Sequence, residues 1–148
     1  VCSSDLRLAA RLPSWLLRWW RMGDEDMNFG NELILDLQGC ERDKFEREHL
    51  AQFFRGMCSL LEVERGPLHF WDYEPDVESR RQAPQNLAGV SAVQFISTSN
   101  ITLHTLDHGG RVYLNIFSCG VFSAKEATEF CLGFFGGEVV TSVMLARR

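Results

Sequence analysis

STSNITLHTLDHGGRVYLNIFSCG, from Ser97 to Gly120, is the stretch that decides how the rest of the chain is read. From Asn100 to Leu106 polar and apolar residues alternate. Thr102 and His104 therefore fall on one face of a strand and Ile101 and Leu103 on the other. Asp107-His108-Gly109-Gly110 is a turn cluster, and Val112 to Phe117 is a second β-prone run that ends at Ser118-Cys119-Gly120. The two runs predict a hairpin. Pairing across it would set Cys119 near the polar cluster Ser97 to Asn100, which would let a serine, a histidine and a cysteine share one pocket.

Working outward, Gly89 to Ile96 reads as a preceding strand, and Leu33 to Leu37, with Asp36 embedded and Gly39-Cys40 closing it, as the first. Asp43 to Glu62 carries Phe45, Leu50, Phe53, Phe54, Met57, Leu60 and Leu61 at helical spacing. Asp43 is its expected N-cap, and Phe53 and Phe54 are expected in the core. Gly66-Pro67 should break the chain before a short strand, Leu68 to Trp71. Residues 72 to 88, DYEPDVESRRQAPQNLA, read as a loop. Downstream, Ser123 and Glu126 have capping-box spacing for a helix to about Phe135, stopped by Gly136-Gly137 and followed by a last strand, Val139 to Leu145. The pattern argues for an α+β two-layer sandwich, an antiparallel sheet with two helices on one face.

At 148 residues, 45% hydrophobic and 24% charged, the chain is long enough for one domain with a real core. A net charge of -5 with no basic block argues against nucleic acid. Cysteines at 2, 40, 58, 119 and 131 form no CxxC pair and read as reduced thiols of a cytoplasmic protein. No metal site is expected: His104 and His108 have helical ligand spacing in a segment that reads as strand and turn. Residues 1 to 26 hold three of the four tryptophans and four arginines in a run broken by Pro13. We read them as an atypical extension, set apart from a domain over 27 to 148, with Met27 as the initiator; a membrane-surface helix competes, and a signal peptide fits less well because arginine interrupts the apolar run and no small-residue cleavage site follows. No stretch reaches the ~20 apolar residues of a membrane span.

Four segments together resemble the bacterial S-adenosylmethionine decarboxylase proenzyme. They are Gly89-Val90-Ser91, Thr98-Ser99, Ile101-Thr102-Leu103-His104-Thr105 and Asn115-Ile116-Phe117-Ser118-Cys119-Gly120. Leu33 to Cys40 is similar to that family's first strand. The resemblance implies an enzyme that makes its own cofactor: a serine attacks the carbonyl before it, the peptide becomes an ester, and elimination leaves a pyruvoyl group. By position Ser99 is that serine and Thr98 the new C-terminus. Ser91 matches the serine that helps processing, His104 the histidine that assists elimination, and Cys119 the cysteine that protonates the product. The pyruvoyl ketone would form a Schiff base with the substrate amine and accept the electrons released with carbon dioxide. A homodimer and a role in spermidine biosynthesis are implied with it.

The departures bear on substrate. Thr98 stands where the family usually has Glu, Asn100 where it has His, and Asn115 where it has an acidic residue. Leu106-Asp107-His108 replaces a Trp-Pro-Glu whose carboxylate binds the ribose hydroxyls, and Asp107 is the candidate to take its place. Phe70, Trp71 and Tyr73 are candidates to stack on the adenine, with Trp71 preferred, and covering the sheet edge is the alternative role. Two other functions compete: a pyruvoyl enzyme for ornithine or arginine, its cation met by Asp72, Glu74, Asp76 and Asp107, or an unprocessed homologue that binds a ligand or a partner.

Overall fold

The computed structural model describes residues 29–72, 82, 84, 87–97 and 99–148. The extension 1 to 26, Met27 and most of the 72 to 88 loop, Tyr73, Glu74 and Asp76 included, lie outside them. Six strands form one antiparallel sheet: β1 (Gly30–Gln38), β2 (Arg65–Trp71), β3 (Ser91–Ile96), β4 (Ser99–Leu106), β5 (Arg111–Ser118) and β6 (Glu138–Arg147), in the order β2-β3-β4-β5-β1-β6. Helices α1 (Arg47–Leu60) and α2 (Ala124–Phe135) cover one face. The α+β two-layer sandwich expected from the pattern is the observed architecture.

Alternation builds the core. Leu33, Leu35 and Leu37 of β1, Ile101 and Leu103 of β4, and Val112, Leu114 and Ile116 of β5 all point to the helix side and are fully buried. They meet Leu50, Phe53, Phe54 and Met57 of α1 and Ala127, Cys131 and Phe135 of α2. Phe53 lies at the centre, its ring 4.8 to 5.7 Å from those of Phe54, Phe130, Phe134 and Phe135. Phe53→Ala should therefore cost about 3–5 kcal/mol of stability, read as a fall in the denaturant midpoint.

The hairpin is as the sequence predicts. β4 and β5 pair with His104 opposite Tyr113 and Asn100 opposite Phe117, around the turn at 107 to 110. Gly110 takes a positive φ of 55°, and a Cβ there would sit 2.5 Å from the Cys40 carbonyl oxygen. Only glycine fits. Ser123 caps α2 by accepting from the Glu126 N–H at 3.2 Å, and Gly136 ends it at φ 68°. Ser123→Ala should cost about 1 kcal/mol, measured by the same unfolding experiment.

Two local expectations are corrected. Asp43 is not the N-cap: Arg42–Phe45 is a separate 3-10 turn that buries Phe45, and extended Glu46 precedes α1 without a side-chain cap. Gly66-Pro67 does not break the chain before a strand but lies inside β2. That edge strand absorbs the proline with a register shift between Arg65 and Leu68. Buried Gln94 compensates, its amide nitrogen donating to the carbonyls of Gly66 at 2.9 Å and Phe95 at 2.8 Å.

Candidate active site

Ser91 on β3, Ser99 and His104 on β4 and Cys119 just past the end of β5 are brought together in two pairs. At one end of the sheet Ser91 opens β3 directly opposite His104 of β4. The Ser91 Oγ to His104 Nδ1 distance is 2.8 Å. Both point to the face without helices, where Tyr113 stacks beside His104 with centroids 6.4 Å apart and planes 21° from parallel. Burial pushes the His104 pKa down, so its imidazole is neutral near pH 7 and can take a proton.

That shift has a stability consequence of defined sign. An unfolded histidine binds its proton at a higher pH than His104 does in the fold. As pH falls through the usual histidine range, the unfolded chain gains protons first and the fold loses stability, until the folded pKa is passed. His104→Gln should flatten this acid-side slope in denaturant titrations at successive pH values.

The second pair is at the other end. Ser99 opens β4, and its Oγ accepts a hydrogen bond from the Cys119 N–H at 3.0 Å. Ser118 Oγ accepts from the Gly120 N–H at 3.0 Å, so two hydroxyls hold the Cys119-Gly120 turn. The Cys119 residue is exposed, whereas burial raises the Cys40 thiol to about 11 and the Cys131 thiol to about 12. Those two stay protonated and enclosed. The four described cysteines form no disulfide. Thr98 lies outside the described residues.

The hairpin thus joins Ser99 to Cys119 and the strand pairing joins Ser91 to His104, but one chain does not join the pairs. Ser99 and His104 stand at opposite ends of β4, about 17 Å apart at the rise of an antiparallel strand. Their parity also differs. Ser99 shares the helix-side register of Ile101, Leu103 and Thr105, while His104 lies on the uncovered side.

A cavity of about 280 Å³ beside the Ser91–His104 pair is lined by Trp71, Asp72, Leu87, Gly89, Ser91 and His104. Trp71 is 85% exposed and available to stack. Asp107 is not among the lining residues; its N–H donates to the Ala88 carbonyl at 2.9 Å. Asp72 is a lining carboxylate, its side chain only 3% exposed and held bidentately by Arg47, whose guanidinium lies over Phe70. That ion pair makes Asp72 a poor receptor for a substrate cation. Nothing in the periodicity pointed to Arg47, because it reads as a solvated helix residue. On the same sheet face Asn115 donates to Glu32 at 3.2 Å, and Arg147 pairs with Glu32 at 2.7 Å. Among the described residues, no group of three or more His, Cys, Asp or Glu side chains is placed to hold a metal ion. No helix among them is long and apolar enough to cross a membrane.

Comparison with known proteins gives this geometry a context. The sequence profile described as S-adenosylmethionine decarboxylase matches residues 31–148. The S-adenosylmethionine decarboxylase proenzyme of Geobacillus sp. (strain WCH70) is 26% identical over 121 residues, 80% of this chain and 86% of that protein. The proenzyme of Shouchella clausii (strain KSM-K16) is 27% identical over 103 residues, 68% and 70% of the two. Among solved structures, the adenosylmethionine decarboxylase of Aquifex aeolicus shares the fold, with TM-score 0.64 and 19% identity over 81% of this chain and 91% of that one. With the family profile spanning all six strands and both helices, the chain belongs to the S-adenosylmethionine decarboxylase family.

Proposed function

We propose that this chain is a self-processing, pyruvoyl-dependent decarboxylase of S-adenosylmethionine, supplying the decarboxylated product for spermidine synthesis in the cytoplasm. The observation that carries the reading is the pair of contacts at family-matched positions, Ser99 Oγ with the Cys119 N–H at 3.0 Å and Ser91 with His104 at 2.8 Å. Ser99 is suited to be the cofactor's precursor: it opens a strand, half-buried, with its hydroxyl oriented by a backbone donor.

In the processing steps the Ser99 Oγ attacks the Thr98 carbonyl carbon, the C–N bond breaks, and an ester replaces the peptide. Loss of the Ser99 α-proton to a neutral imidazole then expels the Thr98 carboxylate. Water hydrolyses the dehydroalanine left behind, releasing ammonia. The pyruvoyl group so formed supplies the electron sink for decarboxylation. Cys119, exposed beside it, delivers the proton that replaces carbon dioxide.

The separation of the two pairs along β4 favours a homodimer as the working unit. Two copies stacked on their helix-free faces about a two-fold axis would lay the Ser91–His104 end of one sheet over the Ser99–Cys119 end of the other, where the Ser99 hydroxyl turns to the Cys119 N–H at the exposed strand end instead of entering the core. That face presents apolar groups for such stacking, Phe95 at 47% exposure and Val143 at 41% among them.

Carbon dioxide release from labelled S-adenosylmethionine, ornithine and arginine tests the substrate. Release from the first alone supports this reading; release from a basic amino acid alone, or from none, overturns it. Cys119→Ala keeps the backbone N–H that holds Ser99. Cleavage should therefore persist while turnover falls by about 10²–10⁴-fold, as seen by mass spectrometry and the release assay on one sample.

A further inference from the structure

Ser91 meets His104 only because β3 begins where it does, and the residue that sets that point is not in the site. Thr105 follows His104 on β4 and points the other way, fully buried on the helix side. Its Oγ1 accepts from the Val90 N–H at 2.9 Å and lies 3.4 Å from the Val90 carbonyl oxygen, to which it donates. The Thr105 N–H donates to the same carbonyl at 2.8 Å. A single threonine thereby satisfies both backbone groups of the residue before Ser91.

Close packing reinforces the contact. A Cβ on Gly89 would lie 1.8 Å from the Thr105 carbonyl oxygen, so the chain enters β3 pressed against Thr105. The Asp107 N–H donates to the Ala88 carbonyl at 2.9 Å. Residues 88 to 90 are thus held against the end of β4 and the turn that follows it, with the Thr105 hydroxyl on the side opposite His104. Serine has one rotatable bond between backbone and hydroxyl, so a small slip of Val90 would carry Ser91 Oγ out of hydrogen-bond range of Nδ1.

We propose that Thr105 is a positioning residue for self-processing: its side-chain hydroxyl clamps Val90 and so holds Ser91 against His104. The proposal rests on the processing role of that pair. Its test keeps the two separable by reading the pair itself as well as the cleavage. Thr105→Val keeps the shape and removes the hydroxyl, Thr105→Ser restores it, and Gln94→Leu is a control that loosens the β2 bulge away from the pair. Should Thr105→Val not accumulate as folded protein, Thr105→Cys, with its weak donor and acceptor, is read by the same criteria.

Per folded chain, Thr105→Val should cleave about tenfold more slowly or worse, Thr105→Ser at close to the wild-type rate, and Gln94→Leu at the wild-type rate despite its lowered melting temperature. In uncleavable Ser99→Ala chains, the ¹⁵N shift of His104 Nδ1 should move from a hydrogen-bonded toward an unbonded value with Thr105→Val and stay put with Thr105→Ser. An unchanged Nδ1 shift, wild-type cleavage by Thr105→Val, or equal slowing by Gln94→Leu would overturn the proposal. If the wild-type chain itself stays whole, the processing reading fails, while the Nδ1 shift still decides the clamp.

Discussion

Ser99→Ala should leave the chain whole. Purified wild-type protein is expected to give two fragments by intact mass, divided between Thr98 and Ser99, with the second carrying pyruvoyl at its new N-terminus. The variant should give one uncut polypeptide after any incubation, and no carbon dioxide from S-adenosylmethionine. The loss is total because alanine has no side-chain oxygen to attack the Thr98 carbonyl. Folding should be untouched, since Ser99 is at a strand end and gives up only its bond to the Cys119 N–H, which reaches solvent. Continued cleavage of Ser99→Ala would remove Ser99 as the processing serine, whereas a wild-type chain that never cuts would remove the self-processing reading and favour the unprocessed homologue.

Mixing two dead variants should restore cutting. On the proposed roles Ser99→Ala lacks the nucleophile and His104→Ala lacks the base, so neither is expected to process alone. If the working site takes Ser99 from one copy and Ser91–His104 from the other, a mixed dimer contains one complete site. The fragments should then come only from the His104→Ala chains, which keep Ser99. After unfolding and refolding an equal mixture, about half of the dimers are mixed, so about half of the His104→Ala chains should be cut. An uncut mixture from demonstrably mixed dimers would place the whole site in one chain. The β4 strand would then have to bend far from its observed course, because about 17 Å of strand separates the two residues.

The architecture was legible because its signals are local. Alternation from Asn100 to Leu106, the glycine turn and the Ser123 capping spacing each depend on residues within a few positions, and each is where the periodicity puts it. The misreadings arose where tertiary contacts outweighed local preference. Asp43 has a cap's chemistry, yet burying Phe45 drew the chain into a separate 3-10 turn. Gly66-Pro67 has a breaker's chemistry, yet Gln94 satisfies the carbonyls that the bulge exposes. Thr105 left a faint trace, a polar residue in the apolar register of Ile101 and Leu103, which marks a buried hydroxyl with a partner. The Arg47–Asp72 pair left none, since 25 residues separate its members.

The two-layer class and the hairpin could be read from the chain alone, because side-chain period and turn chemistry are properties of neighbouring residues, and the candidate site residues came from their spacing along it. Only the tertiary structure decided which of them meet. Strand register sets Ser91 against His104 and Ser99 against the Cys119 N–H at opposite ends of the sheet. Distance along a rigid strand is not encoded in any residue type, and it is that distance which separates the candidate residues into two pairs.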